Sequence, residues 1–237
     1  MSSDTPAARR RPTHRKGRTT LTRESVGRAA LDFLSAHGPA ELTMRSLAAD
    51  LGVSPRAVYN YVEDRRDLIT LAVELFEADW RPPELDSGAE RWRESLRAYC
   101  HDLRAHYRRH PGMTTLALRE NVTMARHPTM LRNVDALIGF FAGIGLPLGD
   151  AYRACMETIR LVVGFVELQD GPHDRPPPGL DPADLERLPP PWLQPESDLE
   201  LPYLARLGEL DPTPPDAQFA FSLDVLAAGI AARIHAP

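Results

Sequence analysis

Residues 47–68 read "LAADLGVSPRAVYNYVEDRRDL", a stretch with two short helical patterns on either side of a glycine. The second pattern begins with Ser54, a good N-cap residue, and continues with Pro55 at the first helical position, where its missing N–H costs nothing. The spacing turns only three side chains inward: Ala57, Val58 and Tyr61. The remaining aromatic and polar side chains face outward, which indicates a partner outside the chain.

Two short helices joined by "LGVS" are typical of a helix-turn-helix, whose second helix enters the major groove of DNA. In that position Arg56 and Asn60 can reach base edges, since arginine favours guanine and asparagine favours adenine. Tyr59 and Tyr61 can donate their hydroxyl groups to phosphate. Arg65 opens the next helix, where a guanidinium group is well placed for phosphate. The alternative is a plain helical hairpin with a solvated polar face.

The helices around this motif have clear start and stop signals. Thr22 and Gly38 bracket the first helix as N-cap and C-cap, and Thr43 caps the second. Asp64 is placed to cap a fourth helix, with Asp67 three residues later as its reciprocal cap. We therefore expect three helices before residue 66 and a fourth directly after them.

Charge is distributed unevenly along the chain. Residues 1–66 carry 12 basic and 7 acidic side chains, whereas the rest of the chain carries 16 and 26. A basic first quarter on an acidic body indicates nucleic acid as the partner of that end. We expect a flexible basic arm at 1–20, because it contains almost nothing apolar. A helix-turn-helix DNA-binding domain would follow at 21–66 and a larger helical domain at 67–237.

The larger domain alternates long helical patterns with proline breaks, and no segment has a sustained period of two. The predicted fold class is therefore all-α, with an N-terminal three-helix helix-turn-helix domain. The proline-rich stretch at 171–217 leaves two possibilities. It is either a disordered spacer or a partly ordered loop that reaches across a dimer, and its apolar residues favour the second.

Several other functions find no support in the sequence. His101, His106 and His110 lack the ligands that would complete a metal set, so we expect surface histidines and no metal. No nucleophile–base order or paired carboxylates appear, so we expect neither an enzyme nor a cofactor. Cys100 and Cys155 are read as free thiols in a reducing cytoplasm. No apolar run approaches the ~18 residues that span a bilayer, so we expect no membrane partner.

The segment "LTMRSLAADLGVSPRAVYNYVEDRRDLI" resembles the DNA-binding part of the TetR family of bacterial transcriptional regulators. The pattern is a threonine that opens the second helix, followed by "LA..LGVS...Y.Y...R.LL", and it covers about residues 21–80. The resemblance implies operator contacts, with Pro55 in a position that varies within the family. The implied contact residues are Thr43, Arg45, Ser54, Pro55, Arg56, Ala57, Tyr59, Asn60, Tyr61 and Arg65.

The rest of the chain resembles the tetracycline-repressor subclass in layout, which implies a helical ligand-binding and dimerisation domain. Arg81 and Leu116 stand where the tetracycline repressor has histidines that bind the drug and its magnesium, so a larger, more hydrophobic effector is expected than a tetracycline–magnesium chelate. The candidate ligand residues are Arg81, Tyr99, Leu103, Met113, Leu116, Phe140, Met156 and Glu167.

The resemblance also implies a homodimer whose interface is formed by helices near 147–170 and 215–235. These helices are apolar nearly all round, which a monomer could hardly bury. The expected function is a cytoplasmic bacterial repressor, nucleoid-associated when bound, that holds a palindromic operator and is released by a small-molecule effector. The alternative is a DNA-binding activator or a ligand-independent regulator.

Overall fold

The computed structural model describes residues 21–122, 127–193 and 200–234, and within these ranges it contains helices and no strand. The all-α prediction is therefore confirmed, while the basic arm predicted at 1–20 lies outside the described residues. The helices are α1 (Arg23–His37), α2 (Met44–Asp50), α3 (Pro55–Tyr59), α4 (Arg65–Asp79), α5 (Trp92–Arg109), α6 (Met113–Arg119), α7 (Pro128–Gly143), α8 (Leu148–Phe165), α9 (Gly171–Asp174), α10 (Pro182–Glu186), α11 (Pro202–Leu207) and α12 (Pro215–Ile234).

The predicted helix ends are largely confirmed. The Thr22 hydroxyl accepts the Ser25 N–H at 3.0 Å, and the Ser25 hydroxyl accepts the Thr22 N–H in return. Thr43 forms the same reciprocal box at the start of α2. Gly38 ends α1 with φ of 77°, a left-handed value that costs glycine little.

The box predicted between Asp64 and Asp67 forms only in one direction. Asp64 accepts the Asp67 N–H at 2.8 Å, as predicted. The Asp67 carboxylate instead accepts the Glu63 N–H at 2.9 Å. It also accepts a hydrogen bond from the Arg23 guanidinium of α1 at 2.7 Å. A partner distant in sequence has therefore changed the local capping pattern.

Helix α4 joins the two halves of the molecule, since it packs against α1 on one side and against α6 and α7 on the other. Gly27 allows the close approach of α1, because a Cβ there would lie 2.6 Å from side-chain atoms of Leu71 and Leu75. The apolar face of α4 belongs to a buried cluster that continues through α5, α7 and α8 into α12. A shift of α4 would therefore displace residues both in the N-terminal helices and in the larger domain.

The end of α8 continues into a π-helical turn, Val166–Asp170, and then into α9. Arg104 of α5 holds this turn through a buried ion pair with Asp170, in which the closest atoms are 2.6 Å apart. Further along, His173 bonds Glu186 at 3.0 Å, and the Thr213 N–H donates to the Glu186 carbonyl at 2.9 Å. The described residues of the proline-rich stretch thus carry short helices and internal contacts, as the partly ordered alternative requires.

Helix α12 is long and apolar enough, by length and composition, to cross a membrane, contrary to the expectation that no such run exists. Its inward face packs with the core through Phe219, Leu223, Ala227 and Ile230. Asp224, halfway along, pairs with Arg97 of α5 at 2.5 Å. A charged side chain in the middle of the helix and a packed face favour a protein environment for α12.

Candidate nucleic-acid interface and effector site

The turn between α2 and α3 has the geometry that a helix-turn-helix needs. Gly52 adopts φ of 64°, which reverses the chain after α2. The Val53 N–H donates to the Ala48 carbonyl at 2.9 Å and fixes the turn. Val58 is completely buried, so it holds α3 against the other helices.

Helix α3 presents most of its surface to water. Ser54, Pro55, Arg56, Tyr59 and Asn60 are exposed, whereas Ala57 and Tyr61 are half-buried. This agrees with the inward set predicted from the spacing. Ser54 holds the N-cap position, but its side chain makes no capping hydrogen bond. The Ser54 hydroxyl therefore does not cap its helix, whereas the Thr43 hydroxyl caps α2.

The predicted contacts on α2 are exposed as well. Thr43 and Arg45 both face solvent at the start of that helix. Beside α3, a polar groove of about 690 Å³ runs between the first residues of α1, the start of α4 and the residues that follow α6. Tyr59, Asn60 and Tyr61 contribute one wall of that groove.

Arg23, which was not among the predicted site residues, holds the chain directly after α3. Its guanidinium donates to the Tyr61 carbonyl at 2.5 Å and to both carboxylate oxygens of Asp67. This hydrogen bonding lowers the pKa of Asp67 and raises that of Arg23. One arginine among many gives no sequence signal for such a role, because its partners lie 38 and 44 residues away.

Arg65, which was predicted to contact a phosphate, makes three hydrogen bonds within the protein. Its guanidinium donates to the carbonyl oxygens of Leu42 (2.9 Å) and Pro39 (3.0 Å) and to the Glu120 carboxylate (2.5 Å). These bonds use three of the five guanidinium N–H donors, and the DNA contact expected of Arg65 stays a prediction. Arg65 instead ties the start of α4 to the loop before α2 and to the end of α6.

The candidate ligand residues on α5, α6 and α7 belong to the buried core. All five are buried in one cluster: Tyr99, Leu103, Met113, Leu116 and Phe140. Met156 on α8 is half-buried. Arg81 is exposed instead, because α4 ends at Asp79 and the extended chain turns its side chain to water. Arg81 is therefore not part of this buried set.

Glu167 lies in the π-helical turn, and its carboxylate accepts the N–H of Gly112 at 2.8 Å. It therefore caps the start of α6, where Gly112 holds a left-handed conformation with φ of 81°. Burial raises the pKa of Glu167 above its usual range. In this structure the carboxylate predicted to bind a ligand connects the π-helical turn to α6.

The three histidines of α5 occupy three different environments. His101 is exposed, His110 accepts or donates a 2.5 Å hydrogen bond with Ser35, and His106 is only 3% exposed. The His106 ring stacks on Phe76 at a centroid distance of 4.2 Å, and burial lowers its pKa to about 4. The prediction of three surface histidines is thus wrong for His106, which α4 covers.

A second buried polar residue, Glu77, was also missed. It lies in α4 between Phe76 and Trp80, is 3% exposed, and its Oε1 atom has no hydrogen-bond partner. Burial raises its pKa to about 8. The available signal was its spacing from Val73 and Trp80, which puts Glu77 on an apolar face of α4.

Two protein-family models match the chain. "Bacterial regulatory proteins, tetR family" matches residues 28–77, and "Tetracyclin repressor-like, C-terminal domain" matches residues 83–234. The tetracycline repressor protein class A from transposon 1721 of Escherichia coli is 30% identical, over 91% of this chain and 93% of that protein.

Solved structures agree with these matches. ActR of Streptomyces coelicolor, in complex with actinorhodin, has a TM-score of 0.70 at 21% identity and covers 92% of this chain and 100% of its own. BioQ of Mycobacterium smegmatis has also been solved with its natural double-stranded DNA operator. That complex has a TM-score of 0.57 at 22% identity and covers 90% of this chain and 99% of its own. At these identities both structures show a shared fold.

Proposed function

Because the chain belongs to the tetR family of bacterial regulatory proteins, we propose that it is a ligand-responsive transcriptional repressor. It binds a palindromic operator as a homodimer and leaves the operator when a small effector binds. We assign DNA binding to residues 21–66 and effector binding with dimerisation to 67–237. The chain between α3 and α4 is the boundary across which the two activities must communicate.

The observation that carries this proposal is the exposed face of α3. A helix that buries only Val58 has little reason to carry aromatic and polar side chains unless another molecule covers them. The proposed operator contacts lie on α2, on α3 and directly after it. They are Thr43, Arg45, Ser54, Pro55, Arg56, Ala57, Tyr59, Asn60 and Tyr61.

Dimerisation through α8 and α12 is supported by the apolar surface that one chain leaves uncovered. Leu148 and Tyr152 on α8 and Phe221 and Val225 on α12 are each more than half exposed. A groove of about 590 Å³ lies between the two helices and carries both acidic and basic side chains. A two-fold axis would let the same patches of two chains cover each other, and a palindromic operator requires that symmetry.

Effector binding is supported by the composition of the core around α5, α6 and α7. The five buried candidates there are apolar or aromatic, which suits a large hydrophobic ligand. Leu116 offers no metal ligand, and Arg81 points to water, so a tetracycline–magnesium chelate is not the expected effector. ActR, which has the same fold, has been solved in complex with actinorhodin, and this supports effector binding by the present chain.

Helix α4 is the proposed connection between effector and operator. Its first turn holds the end of the recognition helix through Asp67 and Arg23, and Arg65 bonds Glu120 at the end of α6. A ligand that displaces α6 or α4 would move the start of α4 and change the spacing of the two recognition helices. To shift a population from 1% to 99% released, the effector must prefer the released form by about 5.5 kcal/mol.

Binding of the purified chain to DNA that flanks its own gene tests this proposal. Fluorescence anisotropy should give a dissociation constant in the nanomolar range at moderate salt, with two chains for each operator. A set of hydrophobic aromatic compounds should then be tested for release. If no fragment binds even at low salt, the proposal fails; binding that no compound affects would favour the ligand-independent alternative.

A further inference from the structure

Glu77 is a buried carboxyl that lacks a partner within the described residues. It is 3% exposed, it takes part in no ion pair there, and its Oε1 atom has no hydrogen-bond partner. An unsatisfied buried polar group typically costs about 1–3 kcal/mol, so such groups need an explanation. Burial raises the pKa of Glu77 to about 8, which keeps the carboxyl mostly uncharged near neutral pH.

The surroundings of Glu77 are apolar and supply no available cation. Its helical neighbours Val73, Phe76 and Trp80 are buried, and the Trp80 ring lies 5.3 Å from the ring of Tyr99, one of the five candidate ligand residues. His106 stacks on Phe76 but is uncharged, since burial lowers its pKa to about 4. Burial alone raises the pKa of Glu77, and no cation within the described residues opposes that rise.

A second polar group without a partner comes from α6. The Oγ1 atom of Thr114 is buried and lies near the Tyr107 hydroxyl without making a hydrogen bond of normal geometry. Burial raises the pKa of Tyr107 on α5, and the carboxyls of Glu77 and Glu167 raise it further. Buried polar atoms without a hydrogen-bond partner thus lie on α4 and on α6, the latter directly after the candidate ligand residue Met113.

We propose that Glu77 is the polar anchor of the effector site and that the natural effector is a hydrophobic molecule carrying a basic amine. The assignment rests on the proposed function, because it takes the core around α5 and α6 as the ligand site. A free amine accepts the carboxyl proton of Glu77 and becomes an ammonium ion beside a carboxylate. If the amine arrives protonated, Glu77 releases its own proton to solvent, and the same ion pair results.

This ligand class follows from charge balance. An anionic ligand would bring a negative charge into a region with no free cation, at a large cost. A neutral alcohol could satisfy Oε1, but only through an ordinary hydrogen bond. An ammonium ion and a carboxylate neutralise each other, and their charge-assisted hydrogen bond is roughly twice as strong.

The position of Glu77 on α4 also gives the ligand direct access to the DNA-binding half. The same helix begins at Arg65, next to the Asp67–Arg23 link that holds the end of α3. A ligand anchored on α4 therefore acts on the helix that orients the recognition helix.

Three probes of nearly equal size test the anchor in the full-length protein without DNA: 1-naphthylmethylamine, 1-naphthylmethanol and 1-naphthoate. Isothermal titration calorimetry at pH 7 should show that the amine binds at least about tenfold more tightly than the alcohol. Glu77→Gln keeps the shape of the side chain but cannot ionise. It should weaken amine binding about tenfold and leave alcohol binding within about twofold.

The matched control is Glu74→Gln, which removes an exposed carboxylate three residues earlier on the same helix and should leave both affinities unchanged. Glu77→Met, an apolar side chain of similar length, serves if the glutamine variant does not fold. The proposal is overturned if wild type binds none of the probes, if the amine binds no better than the alcohol, or if the Glu77 variants keep the preference.

Operator binding, measured separately, distinguishes the two proposals. If the protein prefers the amine but binds no operator, the proposal for Glu77 stands and the repressor proposal fails. If neutral aromatic compounds release wild type and Glu77→Gln from the operator equally well, the proposal for Glu77 fails and the repressor proposal stands.

Discussion

Helices α3 and α4 are neighbours in the chain, and each carries polar residues where a simple amphipathic pattern would not put them. Helix α3 buries only Val58 and exposes its arginine, asparagine and tyrosine side chains. Helix α4 buries seven of its 15 residues, and Glu77 is one of them. Polar groups left outside a small helix indicate a partner that covers the surface, whereas a polar group left without a partner inside indicates a ligand that enters.

The contrast is sharpened by a buried charge that does have partners. Arg104 is 4% exposed, and its guanidinium donates to both oxygens of the fully buried Asp170. It also lies over the rings of Phe165 and Phe219. We therefore expect Arg104 to stabilise the fold and Glu77 to serve a ligand at some cost in stability.

The largest expected effect comes from breaking this buried pair. Arg104→Met should lower the free energy of unfolding by about 3–5 kcal/mol, because Asp170 would keep a buried charge without a counter-ion. Glu77→Met should leave the free energy of unfolding unchanged or raise it. Urea unfolding of the full chain measures both.

Asp216 supplies the control, since it contacts the same guanidinium at 2.8 Å but its side chain is 82% exposed. Asp216→Asn should cost no more than about 1 kcal/mol. Equal losses for Arg104→Met and Glu77→Met would remove the distinction between the two buried ionisable residues.

The next effect concerns the outer surface of α3. Arg56→Ala should weaken operator binding by about 1–3 kcal/mol and relax the preference at one base pair, while thermal unfolding stays unchanged because the side chain is exposed. Fluorescence anisotropy against operator and single-base variants gives both quantities. Arg132→Ala, an exposed arginine on α7, is the control and should bind as wild type does. An Arg56 variant that matches this control would contradict the docking of α3 in the groove.

The helix-turn-helix half was readable from sequence because its determinants are local. Caps at Thr22 and Thr43 act over three residues, and the turn depends on one glycine, so pattern and structure agree there. The inward position of Val58 followed from spacing alone.

The features that the sequence did not reveal all involve partners that are distant in sequence. An arginine at a helix start suits phosphate, but the internal partners of Arg65, which are Pro39, Leu42 and Glu120, reach it only in the folded chain. His106 was expected at the surface, where ionisable residues usually lie, but the rings of Phe76 and Trp80 from α4 stack on it and bury it. The spacing and composition of one segment do not indicate which other helix will pack against that segment.

The dependence of stability on pH can isolate the contribution of Glu77. Its pKa rises from 4.5 in the reference state to about 8 in the fold, so the folded state holds a proton that the unfolded state releases, and stability falls as pH rises between these values. His106 acts in the opposite sense, since its pKa falls from 6.5 to about 4, and its contribution to stability increases only up to about pH 6.5.

Between about pH 6.5 and 8 the Glu77 effect therefore remains unopposed by His106. The free energy of unfolding should fall by about 2 kcal/mol across this window, at about 1.4 kcal/mol for each pH unit. Urea unfolding at half-unit steps measures the slope, which Glu77→Gln should abolish and Glu74→Gln should preserve. A wild-type curve that is flat or rising there would mean that Glu77 is not buried as a neutral group.

The smallest expected effect separates two adjacent arginines at the start of α4. Arg66 is exposed and makes one hydrogen bond, to the Asn121 carbonyl at 3.1 Å, so its charge remains available to a phosphate. Arg66→Ala should reduce the slope of log affinity against log salt by about one unit and weaken all DNA sequences alike.

Arg65→Ala should leave that salt slope unchanged, because the Arg65 guanidinium is already bonded to Glu120 and to two carbonyl groups. Its loss should instead appear in the response to effector, because α6 and the start of α4 are no longer linked. Anisotropy titrations at four salt concentrations, with and without effector, measure both properties for each variant. If Arg65→Ala flattened the salt slope and Arg66→Ala did not, Arg65 would leave its internal partners when DNA arrives, and the start of α4 would belong to the outer, DNA-covered surface.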